Sequence, residues 1–270
     1  MSAPRLRFIH ISDLHILGEA GMRQYGVDTA EILARALPML QGLAPDFVVA
    51  SGDLVGDESE AAYRRLRGLL EPLRAPVHFL MGNHDDRSAF RRVFRPQEAG
   101  SAQPITEIFE HEGHRFVLLD SSQPGTVEGA LEAEQLTWLE AQLAARPDQR
   151  TWIFLHHQPL PIYIRWLDAI GLTNGEAFLA LLARHRQVGV VSFGHIHQAR
   201  RWRYRETLFL GVPALAFQFS SVRQDLEVTQ ESPGFRLVEI ADGVRRSSLH
   251  FLDGQVEPEP SDLAVPLYVR

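Results

Sequence analysis

Asp13-Leu14-His15, Gly52-Asp53, Gly82-Asn83-His84-Asp85, His156-His157 and Gly194-His195-Ile196-His197 each stand at the end of an apolar run. Carboxylate, imidazole and amide side chains in short clusters are the ligand types of hard and borderline metal ions. The chain has no cysteine and 12 histidines. Thiolate zinc sites, iron–sulfur clusters, disulfide frameworks and cysteine nucleophiles are therefore excluded. Asp13, His15, Asp53, Asn83, His156, His195 and His197 are too many ligands for one four- to six-coordinate ion. They suit two ions sharing one carboxylate. Asp53, alone on its strand end, is the natural bridge. One division then gives Asp13, His15 and His197 to one ion and Asn83, His156 and His195 to the other. Spacing alone leaves open which histidine serves which ion.

Such a site needs strand ends that converge. Strands are expected at 6–12, 47–51, 77–81, 116–120, 151–156, 188–193, 207–210, 214–219, 235–240 and 247–252. Helices fill the intervals of the first two-thirds. Ala30, Leu33, Leu37 and Leu40 form one helical stripe, and Leu136, Leu139 and Leu143 another. Thr173 and Glu176 have the spacing of a capping box for a helix with Phe178, Leu181 and Leu182 inward. Beyond about residue 185 only strands and turns follow, so the reading is an α/β fold of two packed sheets covered by helices outside. In extended segments residues i and i+2 face the same way, which would aim Asp13 with His15, and His195 with His197, at one place. Glycines 52, 82 and 194 would let the backbone turn there. By the same alternation His157 points away from its ligand neighbour, towards a hydrogen-bonding or substrate-edge role.

Outside the clusters, His10 and His78 lie within strands and read as core histidines, while His111, His114, His185 and His250 read as surface. The run Arg200 to Arg205 alternates base and aromatic. On a strand this gives a solvated face of Arg201, Arg203 and Arg205 and a packed face of Trp202 and Tyr204. Residues 1–253 read as one domain, and 254–270, with Pro258, Pro260 and Pro266, as a C-terminal arm or tail that could exchange in a homodimer.

The chain's 270 residues, 45% hydrophobic and 23% charged, are ordinary globular composition. Its 27 Lys and Arg against 34 Asp and Glu give a net charge of −7. This argues against nucleic acid and anionic membrane as partners. No apolar run approaches a membrane span and no signal-peptide pattern opens the chain, so a cytoplasmic enzyme is expected.

The ordered series Asp-x-His, Gly-Asp, Gly-Asn-His-Asp, His and Gly-His-x-His resembles the calcineurin-like metallophosphoesterase family. The motifs run from Asp13 to His197, and their joint occurrence is what makes the match specific. The resemblance implies a four-layer α/β/β/α sandwich and a dinuclear centre with the ligand division given above. Residues 156–159, 170–174 and 214–219 further resemble the bacterial 3′,5′-cyclic AMP phosphodiesterases of this family. The implied reaction opens the cyclic diester to the 5′-monophosphate by attack of metal-bound hydroxide. His84 would protonate the leaving oxygen, with Asp85 holding its ring. The small phosphodiester would lie against His15, Asp53, Asn83, His84, His156, His195 and His197, with His157 and Arg23 as further contacts. Iron with manganese as substitute is the expected pair of divalent ions, with zinc or cobalt also compatible with the ligands. A glycerophosphodiesterase using the same centre is the alternative reaction, and a non-catalytic binding scaffold the alternative class.

Overall fold

A computed structural model describes residues 6–241 and 244–259. The elements follow in the order β1 (Leu6–Ile11), α1 (Thr29–Gly42), β2 (Phe47–Ser51), α2 (Glu60–Leu70), β3 (Val77–Leu80), α3 (Arg87–Phe94), β4 (Glu107–His111), β5 (His114–Leu118) and α4 (Ala133–Ala144). Then come β6 (Thr151–Leu155), α5 (Arg165–Asp168), α6 (Gly175–Leu182), β7 (Val188–Phe193), β8 (Arg200–Tyr204), β9 (Thr207–Gly211), β10 (Gln218–Phe219), β11 (Val228–Thr229), β12 (Gly234–Ala241), β13 (Val244–Phe251) and β14 (Val256–Pro258). One six-stranded sheet has the order β14-β13-β12-β1-β2-β3, the other β4-β5-β6-β7-β9-β8. Within them β1, β2 and β3 run parallel, as do β5, β6, β7 and β9.

Three apolar clusters make four layers. One lies between the first sheet and α1 to α3, with Leu33, Leu37, Leu40, Tyr63 and Phe90. A second lies between the second sheet and α4 to α6, with Leu139, Leu143, Phe178 and Leu182. The third holds the sheets face to face through Phe8, Phe47, Phe116, Trp152 and Phe154. Strands buried on both faces read as continuous apolar runs, which is why β2 and β7 stand out in the sequence. The helices begin where side chains cap them: Asp28 Oδ1 accepts from Glu31 N at 3.1 Å, Ser59 Oγ from Ala62 N at 3.0 Å, and Asp86 Oδ1 from Ala89 N at 2.6 Å. No helix among the described residues is long and apolar enough to cross a membrane.

Several expectations are corrected. Residues 107–111 form an unanticipated edge strand. Of 214–219 only Gln218 and Phe219 are strand, because Gln218 turns back to bond Ala214 at both its backbone N and O. Helix α6 exists, but Thr173 does not cap it; its hydroxyl donates to Gly129 O at 2.8 Å. His185 and His250 are buried rather than surface, the first against Glu140 Oε1 at 2.8 Å, the second stacked on Phe235. His10 is core as expected, bridging Ser51 Oγ at 2.7 Å and Ser192 Oγ at 2.9 Å across the two sheets. His78 is partly buried, on Glu107 Oε1 at 2.6 Å.

Residues 256–258 of the expected tail add β14 to the edge of β13, and Glu259 beyond them reaches the interior. Its carboxylate binds Arg236, whose side chain is 1% exposed, and lies 3.4 Å from Arg201 Nη1. Arg201 is therefore tucked against the C-terminal segment instead of lying on a solvated face. Trp202 and Tyr204 do pack on the second core. Residues 260–270, with Pro260 and Pro266, lie outside the described residues.

A buried guanidinium left without its carboxylate is strongly destabilising. Glu259→Gln is expected to lower the unfolding free energy by about 3–5 kcal/mol, and adding Arg236→Met to restore much of it. Burial alone would raise the Glu259 carboxyl, but Arg236 overrides it and holds it below its ordinary 4.5. The pair's contribution is thus complete above pH 4.5 and lost as pH falls through the lowered value in the fold. Denaturant melts of the wild type and the double variant against pH check both statements; equal acid sensitivity in the two would refute the assignment.

Candidate metal centre

The carboxyl ends of β1, β2, β3, β6 and β7 meet where the two sheets face each other. Backbone bonds join the first two loops: Asp13 N donates to Gly52 O at 3.0 Å and His15 N to Asp53 O at 2.9 Å. From the second sheet His195 N donates to both oxygens of Asp13, at 3.2 and 3.1 Å. His84 N donates to Asp53 Oδ1 at 2.9 Å. The Asp and His ligand candidates of the loops after β1, β2, β6 and β7 are buried.

The aim of these side chains comes from an unexpected backbone. Asp13, His15, Asp53, His195 and His197 all have left-handed φ, between 47° and 66°. Extended alternation is therefore not what turns Asp13 and His15, or His195 and His197, towards one point; each is turned by its own left-handed step. Asp and His tolerate this region better than most residues, yet each such position costs about 1–3 kcal/mol. Of the three flanking glycines only Gly52 takes a left-handed φ, 89°. Gly82 and Gly194 serve close approach: a Cβ at Gly82 would strike the Asp53 carboxylate, and one at Gly194 would fall on Ser12 Oγ and 2.7 Å from Asp13 Oδ2.

Two sets of ligand atoms result. Asp13, His15 and His197 present theirs within 4.8 Å of one another, with His197 Nε2 3.3 Å from both Asp13 Oδ1 and His15 Nε2. On the other side His156 Nε2 lies 3.2 Å from His195 Nδ1. Asp53 stands between, its Oδ2 3.7 Å from His15 Nε2 and its Oδ1 3.4 Å from His156 Nε2. Backbone carbonyls orient the rings: His197 Nδ1 donates to Phe217 O at 2.5 Å and His156 Nδ1 to Ser51 O at 2.8 Å. This leaves each Nε2 pointing inward, the arrangement that supports metal-bound histidine. Lone pairs then face lone pairs, and only a proton or a cation between them makes that favourable.

The electrostatics agree with this donor set. Burial lowers His15 and His195 to about 3, so both imidazoles are neutral. Burial alone would raise Asp13 and Asp53, but neighbouring histidines, His197 for the first and His156 for the second, hold both below the ordinary carboxylate range. Burial also opposes charge on His156, yet the Asp53 carboxylate raises it to about 9, and ligation there would displace its proton. The buried Asn83 Oδ1 has no hydrogen-bond partner. An acceptor at such depth costs free energy until something binds it. The residues fit a centre for two divalent cations, which Asp13, His15, Asp53, Asn83, His156, His195 and His197 would hold.

A sequence profile of the calcineurin-like phosphoesterase family matches residues 6–199. The chain belongs to that family. The 3′,5′-cyclic adenosine monophosphate phosphodiesterase CpdA of Pseudomonas aeruginosa is 34% identical to this phosphoesterase over 88% of its chain and 86% of that protein. Glycerophosphodiester phosphodiesterase GpdQ of Enterobacter lignolyticus is 33% identical over 80% of each. A solved dimetal phosphatase from Danio rerio shares the fold, with a TM-score of 0.71 at 19% identity over 95% of this chain and 98% of the other.

The remaining site candidates of this phosphoesterase fall in different places. The ring of His84 lies edge-on to His15, centroids 5.1 Å apart, at the centre as expected. Asp85 does not hold that ring. Its Oδ2 accepts from Leu54 N at 3.1 Å and Gly82 N at 2.9 Å, and its Oδ1 from Val55 N at 3.3 Å and Tyr63 Oη at 2.8 Å. It clamps the two loops that carry Asp53 and Asn83, while burial and the Asp53 charge push its carboxyl up to about 7. Sequence adjacency suggested the partnership with His84; the capping turn at Asp86 sends the two side chains to different neighbours. His157 takes the hydrogen-bonding role: Ser121 Oγ donates to its Nδ1 at 2.8 Å and its Nε2 donates to Val127 O at 3.2 Å. Arg23 is exposed on the rim, its guanidinium on Gly26 O of its own loop at 3.2 Å. Tyr63, Ser51 O and Phe217 O carry no sequence signal, since two act through backbone carbonyls and the third from the middle of a helix.

Asp85→Ala would strand three backbone amides and the Tyr63 hydroxyl, and is expected to cost at least about 2 kcal/mol. Gly194→Ala is expected to reduce bound metal by displacing Asp13, read by elemental analysis of the purified chain. Unchanged stability in the first, or full metal content in the second, would contradict these roles.

Proposed function

We propose that this chain is a dinuclear phosphodiesterase that opens 3′,5′-cyclic nucleotides, cyclic AMP foremost, to the 5′-monophosphate. The observation that carries this reading is the Asp53 carboxylate, which turns one oxygen towards His15 and the other towards His156 between two clusters of buried ligand side chains. With iron or manganese bound, such a pair supplies Lewis-acid polarisation of the phosphoryl oxygens and a water activated for in-line attack. The chain's own groups do the rest. The ligand rings, fixed by Ser51 and Phe217 carbonyls, hold both sides of the phosphoryl position without reorganisation. His84, anchored by its backbone N–H to Asp53 Oδ1, delivers a proton to the departing 3′ oxygen, whose alkoxide is too basic to leave unaided. Buried His157 backs His195, ring centroids 4.6 Å apart, and acts as a support of the ligand ring.

Similarity to CpdA supports the cyclic nucleotide, and similarity to GpdQ supports a glycerophosphodiester as the second reading. Elemental analysis joined to kcat/KM on cyclic AMP, cyclic GMP, a glycerophosphodiester and a simple monoester separates them. Two metals per chain with cyclic AMP preferred is the expected result; preference for the glycerophosphodiester would replace the first reading by the second.

His84→Ala is expected to lower kcat by about 10²–10⁴ with two metals retained, whereas Asn83→Ala is expected to leave about one metal per chain. Full turnover in the first would remove His84 from the chemistry.

A further inference from the structure

The loop after the first ligand pair ends in a tight turn. Gln24 and Val27 exchange backbone hydrogen bonds, N to O at 3.0 and 2.9 Å. Between them Tyr25 and Gly26 have φ of 50° and 81°. Left-handed φ at both central positions is the signature of a type I′ turn, whose first position ordinarily takes Asn, Asp or Gly. A tyrosine there is strained, and burial does not explain it: Tyr25 is 56% exposed. The turn is nevertheless held firmly. Arg23 Nη1 donates to Gly26 O at 3.2 Å, and Gln24 is seated over Gly56, where a Cβ would stand 2.5 Å from its Oε1.

The ring is displayed at the edge of the metal centre. It meets Phe217 edge-on, centroids 5.0 Å apart. Phe217 in turn lies on His15 at 5.1 Å and on His197 at 5.0 Å. One aromatic ring therefore separates Tyr25 from two ligand rings. Phe217 and Phe219 are themselves buried, at 2% and 8% exposure, and so offer no open face. Strain kept in an exposed residue beside a reactive centre points to a ligand contact.

We propose that Tyr25 is the stacking platform for the planar base of the phosphodiester, the residue that makes the centre prefer a heteroaromatic substituent to an aliphatic one. This rests on the reading of the centre as a cyclic-nucleotide phosphodiesterase and adds the residue that selects the base. Stacking tolerates any base with a π-face, so the selection is between base and no base.

The test uses the metal-loaded full chain and two pairs of probes. Calorimetry compares 5′-AMP with ribose 5-phosphate, and kinetics compares 3′,5′-cyclic AMP with the cyclic phosphate of methyl riboside. The wild type is expected to bind 5′-AMP about tenfold more tightly than ribose 5-phosphate, within the range of one base–aromatic stack. Tyr25→Ala should close that gap by weakening 5′-AMP alone, and should raise KM for cyclic AMP about tenfold, with the loss falling on KM rather than kcat. Tyr25→Phe should keep the gap. Tyr25→Gly, which suits the turn, should lose it without lowering the melting temperature, separating stacking from damage to the loop. Equal weakening of both ligands, or a gap that survives Tyr25→Ala, overturns the proposal. So does a gap closed only by Ser88→Trp, because the base would then occupy the cavity of about 320 Å³ beside Asn83, Ser88 and Gln123. A wild type that turns over no cyclic nucleotide yet shows the Tyr25-dependent gap would sink the phosphodiesterase reading and leave the platform standing.

Discussion

The Asp53 carboxylate faces two ways, one oxygen towards His15 and the other towards His156, and the surrounding architecture serves to hold it there. Its own residue is left-handed, preceded by a left-handed glycine and crowded by the bare backbone of Gly82. Four neighbouring ligand residues share the left-handed turn. At about 1–3 kcal/mol each, five such positions rival the 5–15 kcal/mol by which a domain is stable. They persist because other contacts leave them no alternative: backbone bonds between the first two loops, the His195 amide on Asp13, and the Asp85 clamp behind Asp53. Bound cations would separate the facing lone pairs of the ligand atoms and draw the same geometry further downhill.

That constraint explains why the site sits between two sheets. Five strand ends must arrive with little play, and the aromatic layer of Phe8, Phe47, Phe116, Trp152 and Phe154 fixes the sheets against each other in close packing. Polar groups also cross the same layer. His10 joins both sheets through serines, one of which, Ser51, gives its carbonyl to His156. Arg236 crosses from β12 to Gly211 O and relies on Glu259 for its charge, so the C-terminal segment contributes to the interior. The net charge of −7 concerns the distant surface; two divalent ions would dominate the field at the cleft.

Much of this was legible in the sequence. The order of the ligand clusters, their place at strand ends, the central position of Asp53 and the two-sheet layering all follow from residue type, apolar runs and family resemblance. What pointed the ligands inward was read by the wrong geometry, since backbone φ leaves no mark in composition. Asp85 was paired with His84 because they are neighbours, whereas its partners at 54, 55, 63 and 82 are set by tertiary approach. Glu259 looked like a tail residue because nothing local shows that a buried arginine, 23 positions earlier, needs it. Periodicity reports which face is apolar; it does not report which polar groups meet across layers.

The division of labour between strand ends and rim accounts for the pattern of relatives. CpdA and GpdQ, named for different diesters, are 34% and 33% identical to this chain, so overall identity carries no information about the alcohol that leaves. The ligands come from rigid strand ends that tolerate no change of position, while the rim comes from separate loops. Tyr25 stands in one; Arg165 and Trp166 stand in another, paired with Asp225 and packed on Phe219. Tyr25 and Trp166 meet Phe217 and Phe219, whose rings cover His15 and His197. A rim residue can therefore be exchanged without disturbing a ligand, provided those two rings stay in place. Ligand residues and rim residues thus stand on opposite sides of the phenylalanine layer, so a change in one need not displace the other.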